Sequence, residues 1–254
     1  MLRALLERGI VPDLVVGTSV GAINGAAIAA NPTPDGAKHL LAMWDALTEE
    51  GILDGSPISR VTELVRRRTS LHGNGDLRRL LRKRLPQTFE DLAVPFECVA
   101  ASIERAREHW FSTGDLIEPV LASCALPGVF PPVRIGEEHF LDGGLVNSIP
   151  LDRAVSHGAQ TVWVLHVGRL EEELAPPRFP WQVAFVAFEI SRRHRFHADL
   201  ARVGSEITVH VLPSGLPQRP AATWSNLRYR DTGRIARRAD LAYEATREYL
   251  ETLP

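Results

Sequence analysis

The stretch Asp13 to Ala30, DLVVGTSVGAINGAAIAA, decides how the rest of the chain is read. Val15 and Val16 are β-branched and apolar, as a buried strand requires, and the run stops at Gly17. From Thr18 to Ala30 the residues are small and compatible with a helix. The stretch therefore predicts a strand, a sharp turn and a helix. Ser19 is the middle residue of the turn, in the pattern G-x-S-x-G, where a strained backbone lifts the hydroxyl over the end of a sheet and onto a helix N-terminus. Unpaired amides there favour developing negative charge, so the position suits a nucleophile. Gly17 and Gly21 are expected to leave the space for so tight a fold. The plainer reading of the five residues is a turn with a hydrogen-bonded serine. A dinucleotide-binding turn fits less well, because it would place glycine where Ser19 stands. The strand-to-helix context favours the nucleophile.

Length and composition bound the rest. A chain of 254 residues with 44% hydrophobic content can bury a sizeable core, so one α/β domain over residues 1–254 is expected. A net charge of −2 argues against a general nucleic-acid binder. Cys98 and Cys124 lack metal-ligand spacing and fit a reducing compartment. No charged-then-apolar leader opens the chain, and no run of about 18 apolar residues would span a bilayer. The expectation is a cytoplasmic protein, with peripheral membrane contact left open. No cofactor or metal is expected, since no Asp/Glu-rich coordination loop of the usual spacing occurs.

Around the central stretch, Leu2, Leu5 and Leu6 predict a helix that stops at Gly9. Pro32 and Pro34 end the helix after Ser19, and Leu40, Leu41, Trp44 and Leu47 mark an amphipathic one. Between Ser56 and Pro86 the chain is polar and Arg-rich, with Arg66, Arg67 and Arg68, then Arg78, Arg79, Arg82, Lys83 and Arg84 on a short helix whose Leu77, Leu80, Leu81 and Leu85 face inward. A solvated face explains such a cluster. Attraction to anionic lipid headgroups, about 1 kcal/mol per charge near the surface, is the functional alternative. Strands are expected at Phe96 to Ser102, Glu108 to Ser112, Thr161 to Val167 and Ile207 to Leu212. Helices are expected from Asp115, as N-cap, through Ala125, at Leu151 to Ser156, at Trp181 to Val203 and at Asp231 to Leu250. Glu171 to Pro180 reads as a charged, Pro-rich loop.

A serine hydroxyl needs a nearby group to accept its proton. His139 to Gly144, HFLDGG, reads as a short strand running into a double-glycine turn, with Asp142 at its end. Asp-Gly most often marks a hairpin. The alternative is a carboxylate aimed at Ser19, because strand ends in open α/β sheets are where sites gather. Asp142 would then take the serine proton during attack on an ester carbonyl, and later activate the water that resolves the acyl-enzyme. A Ser-Asp-His triad stays open, with His157, His166 or His194 as third member and His166 the strongest of these, at the end of an apolar strand.

GTSVG at 17–21, SCALPGVFPP at 123–132 and DGG at 142–144, in that order, resemble the patatin-like phospholipases, a family of lipid acyl hydrolases. The resemblance covers about residues 1–168 and is only general over 169–254. It implies a three-layer α/β/α fold with a mostly parallel central sheet, and a Ser-Asp dyad of Ser19 and Asp142 flanked by Gly143 and Gly144. Substrates would be phospholipids, acylglycerols or simpler acyl esters. In this family a Gly-rich loop ahead of the helix that begins here near Met1 supplies oxyanion amides. Without it the amide of Val20 would remain, and losing one such donor typically costs about 100- to 1,000-fold in turnover. The chain as written is therefore expected to be weakly active and to regain activity when extended upstream. A non-catalytic lipid-binding relative is the third reading.

Overall fold

The computed structural model describes residues 1–49, 73–166, 173–177, 180–216 and 232–253. In chain order the elements are α1 (Leu2–Glu7), β1 (Val15–Gly17), α2 (Val20–Ala30), α3 (Pro34–Glu49), α4 (Gly75–Arg84), β2 (Phe96–Ser102), β3 (Arg107–Phe111), α5 (Ile117–Ser123), β4 (Val133–Ile135), β5 (Glu138–Asp142), α6 (Leu151–Ser156), β6 (Thr161–Val164), α7 (Pro180–Leu200), β7 (Thr208–Val211) and α8 (Thr232–Glu251). They are the expected elements with ends shifted by a few residues, except β4, which the sequence reading did not foresee and which pairs with β5. Pro34 does more than end α2: it opens α3, where a missing N–H costs nothing, and the Thr33 hydroxyl accepts from the Gly36 amide at 3.1 Å. Arg66, Arg67, Arg68 and Val167 lie outside the described residues, as do Glu171, Glu172, Arg178 and Phe179 of the expected loop.

The chain divides into two compact units, Pro12–Pro150 and Met1–Val11 with Leu151–Pro254. In the first, a five-stranded sheet is built around β2, all seven of whose residues are buried. Burial along the whole strand, with Glu97 and Ser102 as its polar members, rather than alternation, marks a strand covered on both faces. Cys98 of β2 pairs with Gly17 of β1 and with Phe111 of β3, while Ala100 pairs with Asp142 of β5 and with His109 of β3. A strand residue has two edges, so β1 and β5 share the edge of β2 that β3 leaves open. β1 runs parallel to β2 and β5 antiparallel, so their C-terminal ends point at each other.

The sheet is accordingly mixed. β1–β2 is its parallel pair, β2–β5 is antiparallel, and β2–β3 and β4–β5 are antiparallel because short turns join them. Two helices press on the sheet for different reasons. α2 is made of small residues, and a Cβ on Gly25 would come within 2.7 Å of the Phe96 ring and 3.1 Å of Val15. α5 buries Ile117, Pro119, Val120, Leu121, Ala122 and Ser123, and only Glu118 in its first turn reaches outward, where it pairs with Arg78 at 2.7 Å. On α4 the leucine stripe Leu77, Leu80 and Leu81 is buried, Arg79, Arg82, Lys83 and Arg84 lie outward, and Arg78 is half-buried against Glu118.

In the second unit β6 and β7 form a two-stranded parallel sheet. α1 and α8 close a small core of Ala4, Leu5, Leu212 and Leu250, against which Trp163, Tyr243 and Tyr249 pack. Arg195 of α7 bonds Asp152 and Asp199, each at 2.7 Å. No helix among the described residues is long and apolar enough to cross a membrane.

Candidate functional site

The converging ends of β1 and β5 bring two side chains together. Ser19, two residues past β1, donates its Oγ proton to Asp142 Oδ2 at 2.6 Å, short enough that no imidazole stands between them. His157, His166 and His194 all belong to the other unit.

Ser19 has φ 55° and ψ −125°, a backbone region costly for any residue with a Cβ, and it directly precedes α2. Gly17 makes the turn possible: a Cβ there would lie 2.5 Å from the Gly21 carbonyl oxygen and 2.9 Å from Ala22 Cα. The expectation for Gly21 is corrected. A Cβ on Gly21 would meet no atom within 4 Å, so it is its backbone, not its lack of a side chain, that packs against Gly17. Val20 is the first residue of α2, where amides point out of the helix end beside the serine.

Asp142 is 1% exposed. The Asp-Gly pair makes no hairpin: Asp142 caps a 3-10 turn, Gly143–Leu145, its Oδ1 accepting from the Gly144 amide at 2.7 Å. Gly143 has to be glycine, since a Cβ would run into the Val99 carbonyl. Burial pushes the Asp142 carboxyl up from 3.8 to about 6, against the opposing hydrogen bonds from Ser19 and Gly144 that favour its charged form. At neutral pH it is thus mostly ionised yet more basic than an ordinary aspartate.

Several participants carry no obvious signal in the sequence. The Ser19 amide donates to Ser123 Oγ at 2.9 Å, and the Cys124 thiol donates to the Ser19 carbonyl at 3.0 Å. The Asp142 amide donates to the Ala125 carbonyl at 2.9 Å. Thr18 Oγ1 donates to the Asn147 carbonyl at 2.8 Å, tying the serine turn to the loop after Asp142. The SCALPG stretch hinted that residues 123–128 matter, but only the fold reveals what they touch. Among the described residues no group of three or more His, Cys, Asp or Glu is placed to hold a metal ion.

Chemically, a hydroxyl bonded to a buried, basic carboxylate at a helix N-terminus can attack an electrophilic carbonyl and pass its proton in one step. A sequence profile of the family described as Patatin-like phospholipase matches residues 1–155. Patatin-like phospholipase domain-containing protein 6 of Mus musculus is 34% identical over 175 residues, covering 68% of this chain and 12% of that protein. Patatin-like phospholipase domain-containing protein 7 of Mus musculus is 30% identical over 178 residues, with the same shares. Lysophospholipase nte1 of Aspergillus terreus is 26% identical over 173 residues, 68% of this chain and 11% of that protein. The chain thus spans only about an eighth of the length of these curated relatives. Among solved structures, VipD from Legionella pneumophila aligns with a TM-score of 0.37 at 15% identity, over 59% of this chain and 43% of that one.

Proposed function

The chain belongs to the patatin-like phospholipase family, and on that premise we propose that it is a serine lipid acyl hydrolase, with Ser19 as nucleophile and Asp142 as general base. The observation that carries the reading is the 2.6 Å hydrogen bond from Ser19 Oγ to Asp142 Oδ2. Ser19 Oγ attacks the ester carbonyl carbon as its proton passes to Asp142. The tetrahedral oxyanion faces the Val20 amide at the start of α2, where the helix end favours negative charge. Collapse breaks the ester C–O bond, and Asp142 returns the proton to the leaving alcohol. Water then attacks the acyl-enzyme, giving its proton to Asp142, and the fatty acid leaves as Ser19 regains its hydrogen.

The substrates are carboxylic esters of phospholipids or acylglycerols. The name of one relative, a lysophospholipase, makes single-chain phospholipids the first to try. Contact with the lipid surface is peripheral and electrostatic, through the exposed cations of α4. Arg79 and Arg82 have 81% and 56% exposed side chains, and Lys83 and Arg84 are exposed beside them. Opposing charge comes from Asp76, 3.0 Å from Arg79, and Glu118, 3.5 Å from Arg82. Turnover of a lysophospholipid and of a short-chain aryl ester by the wild type, Ser19→Ala and Asp142→Asn tests the proposal. Hydrolysis by the wild type with loss in both variants is expected. Equal rates in all three would overturn it.

A further inference from the structure

Outside the reacting pair, three bonds to its backbone converge on three consecutive residues. Ser123, Cys124 and Ala125 end the buried helix α5, and each reaches one of the two residues proposed above as nucleophile and base. Ser123 Oγ accepts the Ser19 amide at 2.9 Å, the Cys124 thiol donates to the Ser19 carbonyl at 3.0 Å, and the Ala125 carbonyl accepts the Asp142 amide at 2.9 Å. We propose that Ser123-Cys124-Ala125 is a positioning segment that grips both polar backbone groups of Ser19 and one of Asp142, fixing their register. The proposal rests on the hydrolase reading for its consequence on rate, though not for the grip itself.

Three physical points support it. First, φ 55° at Ser19 is not self-sustaining, because a residue with a Cβ pays for this region and relaxes unless its surroundings over-determine it. The two bonds act on the amide and the carbonyl of the same residue, on either side of its Cα. Second, the segment is itself buried: Ser123 is 0% exposed, Cys124 8% and Ala125 1%. It hangs from α5, which packs against the sheet with Val120 and Leu121 fully inside. Third, the donor and acceptor roles are secured. Burial, with the Asp142 charge close by, pushes the Cys124 thiol well above its ordinary value, so it keeps the hydrogen it donates. Ser123 has no bulk to spare beyond its hydroxyl, so exchanging it for alanine removes an acceptor and almost no packing.

A nucleophile displaced by about 1 Å loses roughly 100-fold in rate. Ser123→Ala is therefore expected to lower kcat, and the rate of labelling by a fluorescent alkyl phosphonate, by about 10- to 100-fold, with KM nearly unchanged. Cys124→Ala should slow labelling, and Cys124→Ser, which keeps a donor of similar size, should restore it. The pH at which activity is half-maximal should rise, since a displaced Ser19 weakens one of the two hydrogen bonds that favour the charged form of Asp142. Amide hydrogen exchange at Ser19, followed by NMR, is the readout that needs no activity, and Ser123→Ala should speed it at least tenfold at unchanged global stability. Wild-type labelling rates in Ser123→Ala, together with unchanged Ser19 exchange, would overturn the proposal. If even the wild type fails to label while Ser123→Ala still speeds exchange at Ser19, the hydrolase reading falls and the grip stands.

Discussion

Gly17 and Asp142 face β2 two positions apart on the same edge, at Cys98 and Ala100, and the strands that carry them run toward each other. One parallel and one antiparallel neighbour thus share β2 end to end. That arrangement places the turn after Gly17 against the end of β5, so Ser19 meets a carboxylate 123 residues away without any long loop. The reacting distance is set by backbone pairing on a buried strand, not by flexible side chains, and its pre-organisation follows from that.

Activity should depend on one ionisation on the acid side. Asp142 accepts a proton only when charged, and burial has raised its carboxyl to about 6. The expected kcat/KM rises with pH, is half-maximal near that value and levels off above it. A pH–rate profile on a neutral ester checks this. A midpoint near 4, the ordinary aspartate range, would contradict the environment described here.

The same ionisation affects stability in the opposite sense. Between the unfolded value of 3.8 and the folded value of about 6, the native protein holds a proton that the unfolded chain releases. Stability is thus lost as pH rises through this window, by at most about 3 kcal/mol. Asp142→Asn removes the charge and leaves a group of the same shape. Its stability relative to wild type should grow between pH 4 and 7, as measured by urea denaturation at both, and a constant difference would contradict the assignment.

Glycine positions separate cleanly. A methyl group on Gly17 or Gly143 meets backbone that cannot move aside, so Gly17→Ala and Gly143→Ala should each cost about 1–3 kcal/mol and several degrees of Tm. Gly21 has open space and sits in a helix, so Gly21→Ala should raise stability by about 0.5–1 kcal/mol. Thermal unfolding followed by circular dichroism ranks the three.

Lipid contact through α4 is a charge effect and is measurable as such. Reversing Lys83 and Arg84 to Glu should weaken binding to vesicles containing phosphatidylserine by at least tenfold, with no effect on neutral vesicles, and raising salt should weaken the wild type in the same way. Turnover of a water-soluble aryl ester should be unchanged. Equal vesicle binding by wild type and variant in a sedimentation assay would remove α4 as the contact.

Much of this was legible in residues 13–30, since a β-branched pair, two glycines and a run of small residues admit few foldings other than strand, turn and helix. The leucine spacing of α4 and the largely apolar stretch of β2 were legible for the same reason, because hydrophobic patterning reports burial directly. The mixed pairing of the sheet was not, since nothing in HFLD tells which way the strand runs or that its end abuts β1. Ser123 and Cys124 were hidden for a different reason. Their partner is the backbone of a residue 104 and 105 positions away, and backbone groups leave no trace in a sequence. Gly21 was over-read, because the pattern G-x-S-x-G suggests two crowded glycines where the structure crowds only Gly17.

The central claim is that Ser19 is the nucleophile and Asp142 its base, and covalent capture tests it most directly. The protein is treated with a fluorescent alkyl phosphonate at pH 8, digested and analysed by mass spectrometry, alongside Ser19→Ala and Asp142→Asn, each shown to be folded. The account predicts a single adduct on the peptide carrying Ser19, none in Ser19→Ala, and labelling slowed at least 100-fold in Asp142→Asn. No adduct in the folded wild type, or an adduct on another residue that persists in Ser19→Ala, would contradict it.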